Sequence, residues 1–269
     1  MGYKRTALIT FIYPAAKKYL SALVADLNNQ TDKNFTVVVF NDGVEQPEKW
    51  LNELRVPHQI IPVEAETPMT IRFEALELLR TMGFEYIIFQ DSDDGLNANR
   101  VEVVVELLKD YPMVVNDLDI MNETGQVIST NIWKERFEVK PTFSSDDLVS
   151  YNFAGLGNTA IHSQLLHATP RQPSKELIAV DWYIFYSILK STAVVGYRTS
   201  RCTTLYRQHS QNSVGQMTPE KRDMAMQVKA LHVAAIQAQG MTLPAAMDDK
   251  HSKNTNHNYT HPFWWEIAD

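Results

Sequence analysis

The sequence predicts an α/β protein built around a doubly wound sheet. Three observations lead there. Apolar β-prone runs alternate with helically spaced apolar residues over the first 112 positions, the second run is apolar on both faces as a central parallel strand is, and acidic turns follow two of the runs.

In chain order, Ala7-Leu8-Ile9-Thr10-Phe11-Ile12 reads as the first strand, after which Leu20, Leu23, Val24 and Leu27 repeat at helical spacing up to Asn28 and Asn29. Thr36 to Phe40 is a second strand stopping at Asn41-Asp42-Gly43, and a third short strand is expected at Gln59 to Pro62. Thr67-Pro68 supplies an N-cap with proline at the first helical position. Ile71, Ala75, Leu78, Leu79 and Met82 make one face of that helix, and Gly83 closes it. Tyr86 to Gln90 is a strand running directly into Asp91-Ser92-Asp93-Asp94-Gly95, before a helix carrying Val101, Val104, Val105 and Leu108. After Pro112 the rhythm changes to short β-like pieces, Met113 to Val115 and Phe137 to Val139, which predict antiparallel additions. Val180 to Lys190 reads as helix and Ala193 to Arg198 as strand. Thr218-Pro219 opens a last helix with Met224, Val228, Leu231 and Ala235 on one face before Gly240.

Bulk properties narrow the function classes. A hydrophobic fraction of 44% fills a sizeable core, and a net charge of -7 argues against an extended nucleic-acid surface. Cys202 is the single cysteine, with no second metal or redox ligand at motif spacing, so a reduced compartment is expected. The apolar run Ala7 to Tyr13 is too short for a membrane span and lacks a signal-type cleavage region. The expected location is the cytoplasm.

In open α/β sheets, ligands bind beyond the carboxyl ends of the parallel strands. Asp42 and the Asp91 to Asp94 cluster fall there. Closely spaced carboxylates repel one another unless water or a cation compensates, and hard oxygen ligands suit Mg²⁺ or Mn²⁺. An isolated D-x-D is most often a solvated acidic turn with a helix cap; its place after a buried strand favours a site.

The cluster also keeps specific company. Phe40-Asn41-Asp42-Gly43, Arg72, Tyr86 to Asp94, Asp181-Trp182, Tyr206-Arg207-Gln208-His209 and Asn212-Ser213-Val214-Gly215 follow in that order. Together they resemble the inverting family 2 glycosyltransferases with a GT-A fold, a Rossmann-like mixed sheet. The resemblance covers about Lys4 to Gly215; residues 216–269 carry no such match. It implies a GT-A domain over 1–217, with a donor-binding half to about 112 and an acceptor half over 113–217. A C-terminal helix and aromatic-ended tail follow over 218–269.

Carried over residue by residue, the resemblance makes Asp42 the acid that reads the donor base and Arg72 a basic residue beside the nucleotide. Asp91 and Asp93 match the D-x-D pair, Asp93 as direct metal ligand and Asp91 nearer the ribose or a metal-bound water, with Asp94 secondary. His209 supplies a further metal or diphosphate contact, and Arg207 steadies the diphosphate. Gly155, Gly157 and Asn158 match the loop that meets the acceptor, with Trp182 on the same side. Asp181 matches the base that deprotonates the acceptor hydroxyl; Val180 stands where the family has a preceding Glu. Asp42 capping a turn, Arg72 and His209 facing solvent, and Asp181 capping a helix are the ordinary alternatives.

The implied activity is a hexosyltransferase type of reaction. A sugar passes from a nucleoside-diphosphate donor to a saccharide or lipid-linked saccharide, in glycan or surface polysaccharide synthesis, with Mn²⁺ or Mg²⁺. Two rivals share the acidic strand end. A Mg²⁺-dependent phosphohydrolase needs Thr or Val where Gly95 stands, and an inactive sugar-nucleotide or carbohydrate-binding protein has no need of Asp181. The cluster Phe263-Trp264-Trp265 is too apolar to stay solvated. It is expected to pack on its own domain, on a second copy as a homodimer, or on the inner face of a membrane.

Overall fold

Alternation of buried side chains along β1 (Thr6–Ile12) divides the protein into two cores. Ala7 and Ile9 enter one and Leu8 and Ile12 the other. This computed structural model describes residues 5–64, 67–149, 152–173, 177–209 and 219–241. A short 3₁₀ turn, Pro14–Tyr19, leads into α1 (Leu20–Asn29), which buries Leu20, Leu23, Val24 and Leu27. β2 (Phe35–Asn41) again feeds both cores, and α2 (Glu48–Leu51) and β3 (His58–Pro62) follow.

α3 (Pro68–Leu79) begins as expected, with Thr67 Oγ1 accepting from the Thr70 N–H at 3.2 Å. Its buried face carries Met69, Ile71, Phe73, Ala75, Leu76 and Leu79, whereas Leu78 is exposed. The helix ends at Leu79, and Gly83 turns the chain afterwards at φ +72°. β4 (Tyr86–Asp91), β5 (Gly95–Leu96) and α4 (Arg100–Leu108) complete the first half.

The second half differs from the sequence expectation. β6 (Met113–Met121) is a nine-residue buried strand, not a fragment. After β7 (Val127–Ser129), the Phe137 segment forms α5 (Lys134–Val139), a helix. Phe137 packs there against Trp133 one turn earlier, at 6.3 Å between ring centroids, a contact that helical spacing provides and strand spacing does not. β8 (Thr142–Phe143), a 3₁₀ turn at Ser145–Leu148, β9 (Thr159–His162) and another at Ser163–Ala168 lead to α6 (Val180–Thr192). Ala193 is the left-handed C-cap of α6 at φ 55°, so β10 (Gly196–Arg207) starts later and runs further than the sequence suggests.

The strand order is β3-β2-β1-β4-β9-β6-β10-β5, with β7 on β6 and β8 on β10. Pairs β3-β2, β2-β1 and β1-β4 are parallel, β9 is antiparallel to both β4 and β6, and β6 and β10 run parallel to each other. The sheet is therefore mixed and lies between helices, the GT-A arrangement. α7 (Pro219–Ala238) packs on α6 through Val228, His232 and Ile236, with Leu231 and Ala235 beside them and Met224 exposed. Among the described residues no helix is long and apolar enough to cross a membrane. The Asn212 to Gly215 segment, Asp248 to Thr260 and the Phe263-Trp264-Trp265 cluster lie outside the described residues.

Candidate active site

Parallel register aligns the strand ends. Ile12 pairs with Asn41 and Phe11 with Asp91, so the turns after β1, β2 and β4 emerge side by side at one edge of the sheet. They open on a cleft of about 930 Å³ whose polar lining includes Asp42, Arg72, Asp91, Asp93, Asp94 and Asp181. Asn41 closes the β2 turn, its amide oxygen accepting from the Val44 N–H at 2.9 Å and its NH₂ donating to the Val44 carbonyl at 3.0 Å. Asp42 is thus relieved of the capping role and faces the cleft.

The acids after β4 differ in surroundings. Asp94 is a clamp: one carboxylate oxygen accepts the Arg207 backbone N–H at 2.8 Å, tying β10 to the acidic turn. Asp93 Oδ2 receives the Tyr13 hydroxyl at 3.2 Å and lies 3.0 Å from His209 Nε2. Burial raises the pKa of Asp91 and of Asp94, and the neighbouring Asp93 charge raises both further. Burial likewise raises Asp181, while the Arg72 guanidinium opposes the shift on Asp181 and on Asp91. Arg72 therefore stands electrostatically between the two carboxylates, and its Nε is buried without a hydrogen-bond partner among the described residues.

Behind the cleft a buried polar network holds the acidic turn and the 153–158 loop together. Arg100, fully buried, donates to Asn116 Oδ1 at 2.8 Å, to the Phe89 carbonyl at 2.8 Å and to Gln90 Oε1. Gln90 donates to the Asp91 carbonyl at 2.9 Å. Asn116 donates to Thr204 Oγ1, which donates to the Gly157 carbonyl at 2.8 Å. Asn158 donates to the carbonyls of Asn116 and Phe153 and accepts from the Gly155 N–H at 2.8 Å. Burial pushes the Arg100 pKa down to about 10, which leaves it a cation behind the acids at neutral pH.

Glycines in that loop lie close to the acids, so that a side chain at Gly157 would crowd them. A Cβ on Gly157 would meet Asp94 Oδ2 at 3.0 Å and Asp91 Oδ2 at 3.1 Å, and one on Gly155 would meet Asn158 Oδ1 at 3.3 Å and Asp181 Oδ2 at 3.5 Å. The loop runs from the β4 acids to Asp181. Asp181 is not the N-cap of α6: the helix starts at Val180, capped by Ala179, and Asp181 lies in the first turn. Its Oδ1 accepts the Trp182 N–H at 2.8 Å, and Asn152 Nδ2 lies 3.5 Å from Oδ2. The positive end of α6 stabilises the carboxylate there.

Two sequence-derived residues lie elsewhere than expected. Trp182 is 2% exposed, donates to the Leu148 carbonyl at 2.6 Å and stacks on His232, so its ring faces the interior and not the acceptor side. Arg207 donates to the Asp93 carbonyl at 2.7 Å and the Glu123 carbonyl at 3.1 Å and lies over the Tyr19 ring at 4.5 Å. It braces the loops instead of pointing at a diphosphate. Sequence reasoning missed Tyr13, Asn152 and Arg100, and gave Tyr206 no role beyond its place in the motif. Tyr13 ends β1 as Asp42 and Asp91 end β2 and β4, so the strand-end argument extends to it. Arg100 sits one turn before Val104 on an apolar helix face, the signal of a buried, paired cation.

Comparison with known proteins identifies the family and the fold. The glycosyl transferase family 2 model matches residues 8–154, more than half of the chain. No curated protein matches the chain. Among solved structures, S. aureus TarS 1-349 in complex with UDP-GlcNAc is similar over 92% of this chain and 69% of its own, with 18% identity and a TM-score of 0.60. The mannosyltransferase PcManGT from Pyrobaculum calidifontis, in complex with GDP-Man and Mn²⁺, is similar over 90% of this chain and 66% of its own, with 12% identity and a TM-score of 0.63. The chain spans 41% of a longer S. aureus TarS chain. The chain therefore belongs to glycosyl transferase family 2 and is a glycosyltransferase of GT-A fold.

Proposed function

We propose that the protein transfers a sugar, with inversion, from a nucleoside-diphosphate donor to an acceptor hydroxyl, with Mn²⁺ or Mg²⁺ at the acidic strand end. The observation that carries this reading is that Asp91 and Asp93 open on the same cleft as Asp181, with Arg72 interacting with both ends. Asp42 and Arg72 are assigned to the nucleotide, Gly155, Gly157 and Asn158 to the acceptor side. Donor and acceptor halves meet along the 153–158 loop.

The donor set suits a hard divalent ion: carboxylate oxygens of Asp91 and Asp93, with His209 beside Asp93. Among the described residues no three such side chains already form a cage. Mg²⁺-type sites take one or two carboxylates and complete their shell with water and substrate phosphates. A bound cation supplies Lewis-acid stabilisation of the departing diphosphate. The chain's own residues do the rest. Tyr13 and His209 hold Asp93 in place, Arg72 draws an anionic donor into the cleft, and Tyr206, whose pKa burial raises, presents a neutral phenol. Asp181, made more basic by burial, takes the proton from the acceptor hydroxyl.

The family match speaks against the phosphohydrolase, and the opening of Asp91, Asp93 and Asp181 on one cleft speaks against an inactive binding protein. Saccharide or lipid-linked saccharide acceptors, in surface polysaccharide synthesis in the cytoplasm or at the inner face of a membrane, remain part of this proposal. A thermal-shift screen of nucleoside diphosphates and their sugars, with and without Mn²⁺, tests it, because a ligand binding only the folded state raises Tm. A metal-dependent rise with at least one donor is expected; no rise with any donor would overturn the reading.

A further inference from the structure

The buried stripe of α7 contains a residue that core packing alone does not explain. His232 is 1% exposed, and among the described residues neither ring nitrogen has a hydrogen-bond partner. Burial lowers its pKa to about 3, so the ring is neutral. A leucine would fill the place without stranding two polar atoms away from water.

What the imidazole provides is a flat surface. It stacks on the Trp182 indole with centroids 4.0 Å apart and planes 14° from parallel, and it meets Tyr186 edge-on at 6.0 Å. Trp182 follows Asp181 directly, and its backbone N–H holds Asp181 Oδ1. The indole is fixed at its edge by the bond from Nε1 to the Leu148 carbonyl and on its face by His232. A tilt of that ring would shift the first turn of α6 and the carboxylate it carries.

We propose that His232 is a positioning residue for transfer, acting from α7 through the Trp182 ring to hold the Asp181 carboxylate at the acceptor side of the cleft. The C-terminal helix then belongs to the catalytic apparatus without touching either substrate. This inference rests on Asp181 being the base. It also gives the segment beyond the 8–154 match a definite task.

The test uses the full chain with His232→Leu, His232→Phe and Asp181→Asn. Nucleotide release from UDP-GlcNAc and from GDP-mannose is followed in Mn²⁺, with water and simple glycosides as acceptors. His232→Leu is expected to keep or raise Tm and to leave UDP or GDP affinity and donor KM unchanged. Its kcat is expected to fall about tenfold or more, because a small misplacement of a reacting group costs rate and not binding. His232→Phe returns a flat ring and restores kcat to within about twofold of the native value. Native kcat in His232→Leu with an inactive Asp181→Asn overturns this proposal alone. So does a His232→Leu that loses Tm and nucleotide affinity together, or a His232→Phe as slow as His232→Leu. An active Asp181→Asn overturns the base assignment and this inference with it.

Discussion

A methyl group on Gly157 would stand 3.0 Å from the Asp94 carboxylate, closer than a side chain is ordinarily allowed, so the 155–158 loop rests directly on the acid cluster. Gly157→Ala therefore forces Asp94 and Asp91 to give by a few tenths of an ångström. A stability loss of about 1 kcal/mol is expected from overpacking of this size. Metal-dependent nucleotide affinity should fall as well, because the same shift displaces Asp91. Thermal unfolding and calorimetry in Mn²⁺ read the two effects; unchanged affinity would separate the loop from the metal site.

Asp93 gives a second expectation. Carboxylates at Asp91 and Asp93 repel the phosphates of a nucleotide unless a cation lies between them. Native protein should bind UDP or GDP more tightly in Mn²⁺ than in chelator. Asp93→Ala should abolish the difference while keeping the fold, since Asp93 sits on a loop outside the hydrophobic core. Equal native affinities with and without the ion would remove the metal from the mechanism.

Asp117 predicts a pH dependence of stability unrelated to catalysis. Its Oδ1 accepts the Leu118 and Trp133 N–H groups at 2.7 Å each, but Oδ2 is buried without a partner among the described residues, and burial pushes the pKa up to about 7. The folded state thus binds the proton more tightly than the unfolded chain, whose value is near 3.8. The sign follows: this contribution is complete below the unfolded pKa and is lost as pH rises from about 4 to about 7. Asp117→Asn mimics the protonated form. Its Tm advantage over the native protein should be near zero at about pH 4, grow towards pH 7 and then level off. An advantage independent of pH would contradict the raised pKa.

The legible and illegible parts of this protein have separate physical causes. β1, β2 and β4 are readable because both their faces are buried, which forces continuous apolar runs, and the acids that end them stand out by contrast. α5 was misleading because Phe137 and Val139 fall two apart. Val139 is largely exposed, while the contact that matters, Phe137 on Trp133, lies four apart. The apolar signal of β10 stops short of its end because its middle, Thr199 to Thr203, is polar and contains the register shift against β6. The site followed the same division. Motif residues on strand ends can be named from their order, and Tyr13 and Arg100 carry a weaker positional signal, but the partners that define Tyr13, Asn152 and Arg100 are set only by the fold. Trp182 follows Asp181 in sequence but not in direction, because neighbouring residues on a helix point about 100° apart.

The most informative substitution is Asp181→Asn. Inverting displacement places the base on the face of the sugar opposite the diphosphate, so Asp181 should act on the acceptor and leave donor binding alone. Asparagine keeps the size of the side chain and can still accept the Trp182 N–H through its amide oxygen, the bond that orients Asp181 now at 2.8 Å. It also leaves the helix cap intact, because Ala179 occupies that position. What it removes is the carboxylate's capacity to take a proton. Donor affinity in Mn²⁺ should therefore stay within about threefold, while transfer falls at least about 100-fold. Steady-state transfer measured beside calorimetric donor binding resolves the two quantities. Near-native transfer would show that another group takes the proton, and weakened donor binding in a folded variant would move Asp181 to the nucleotide site, where the Arg72 charge already links it to Asp91.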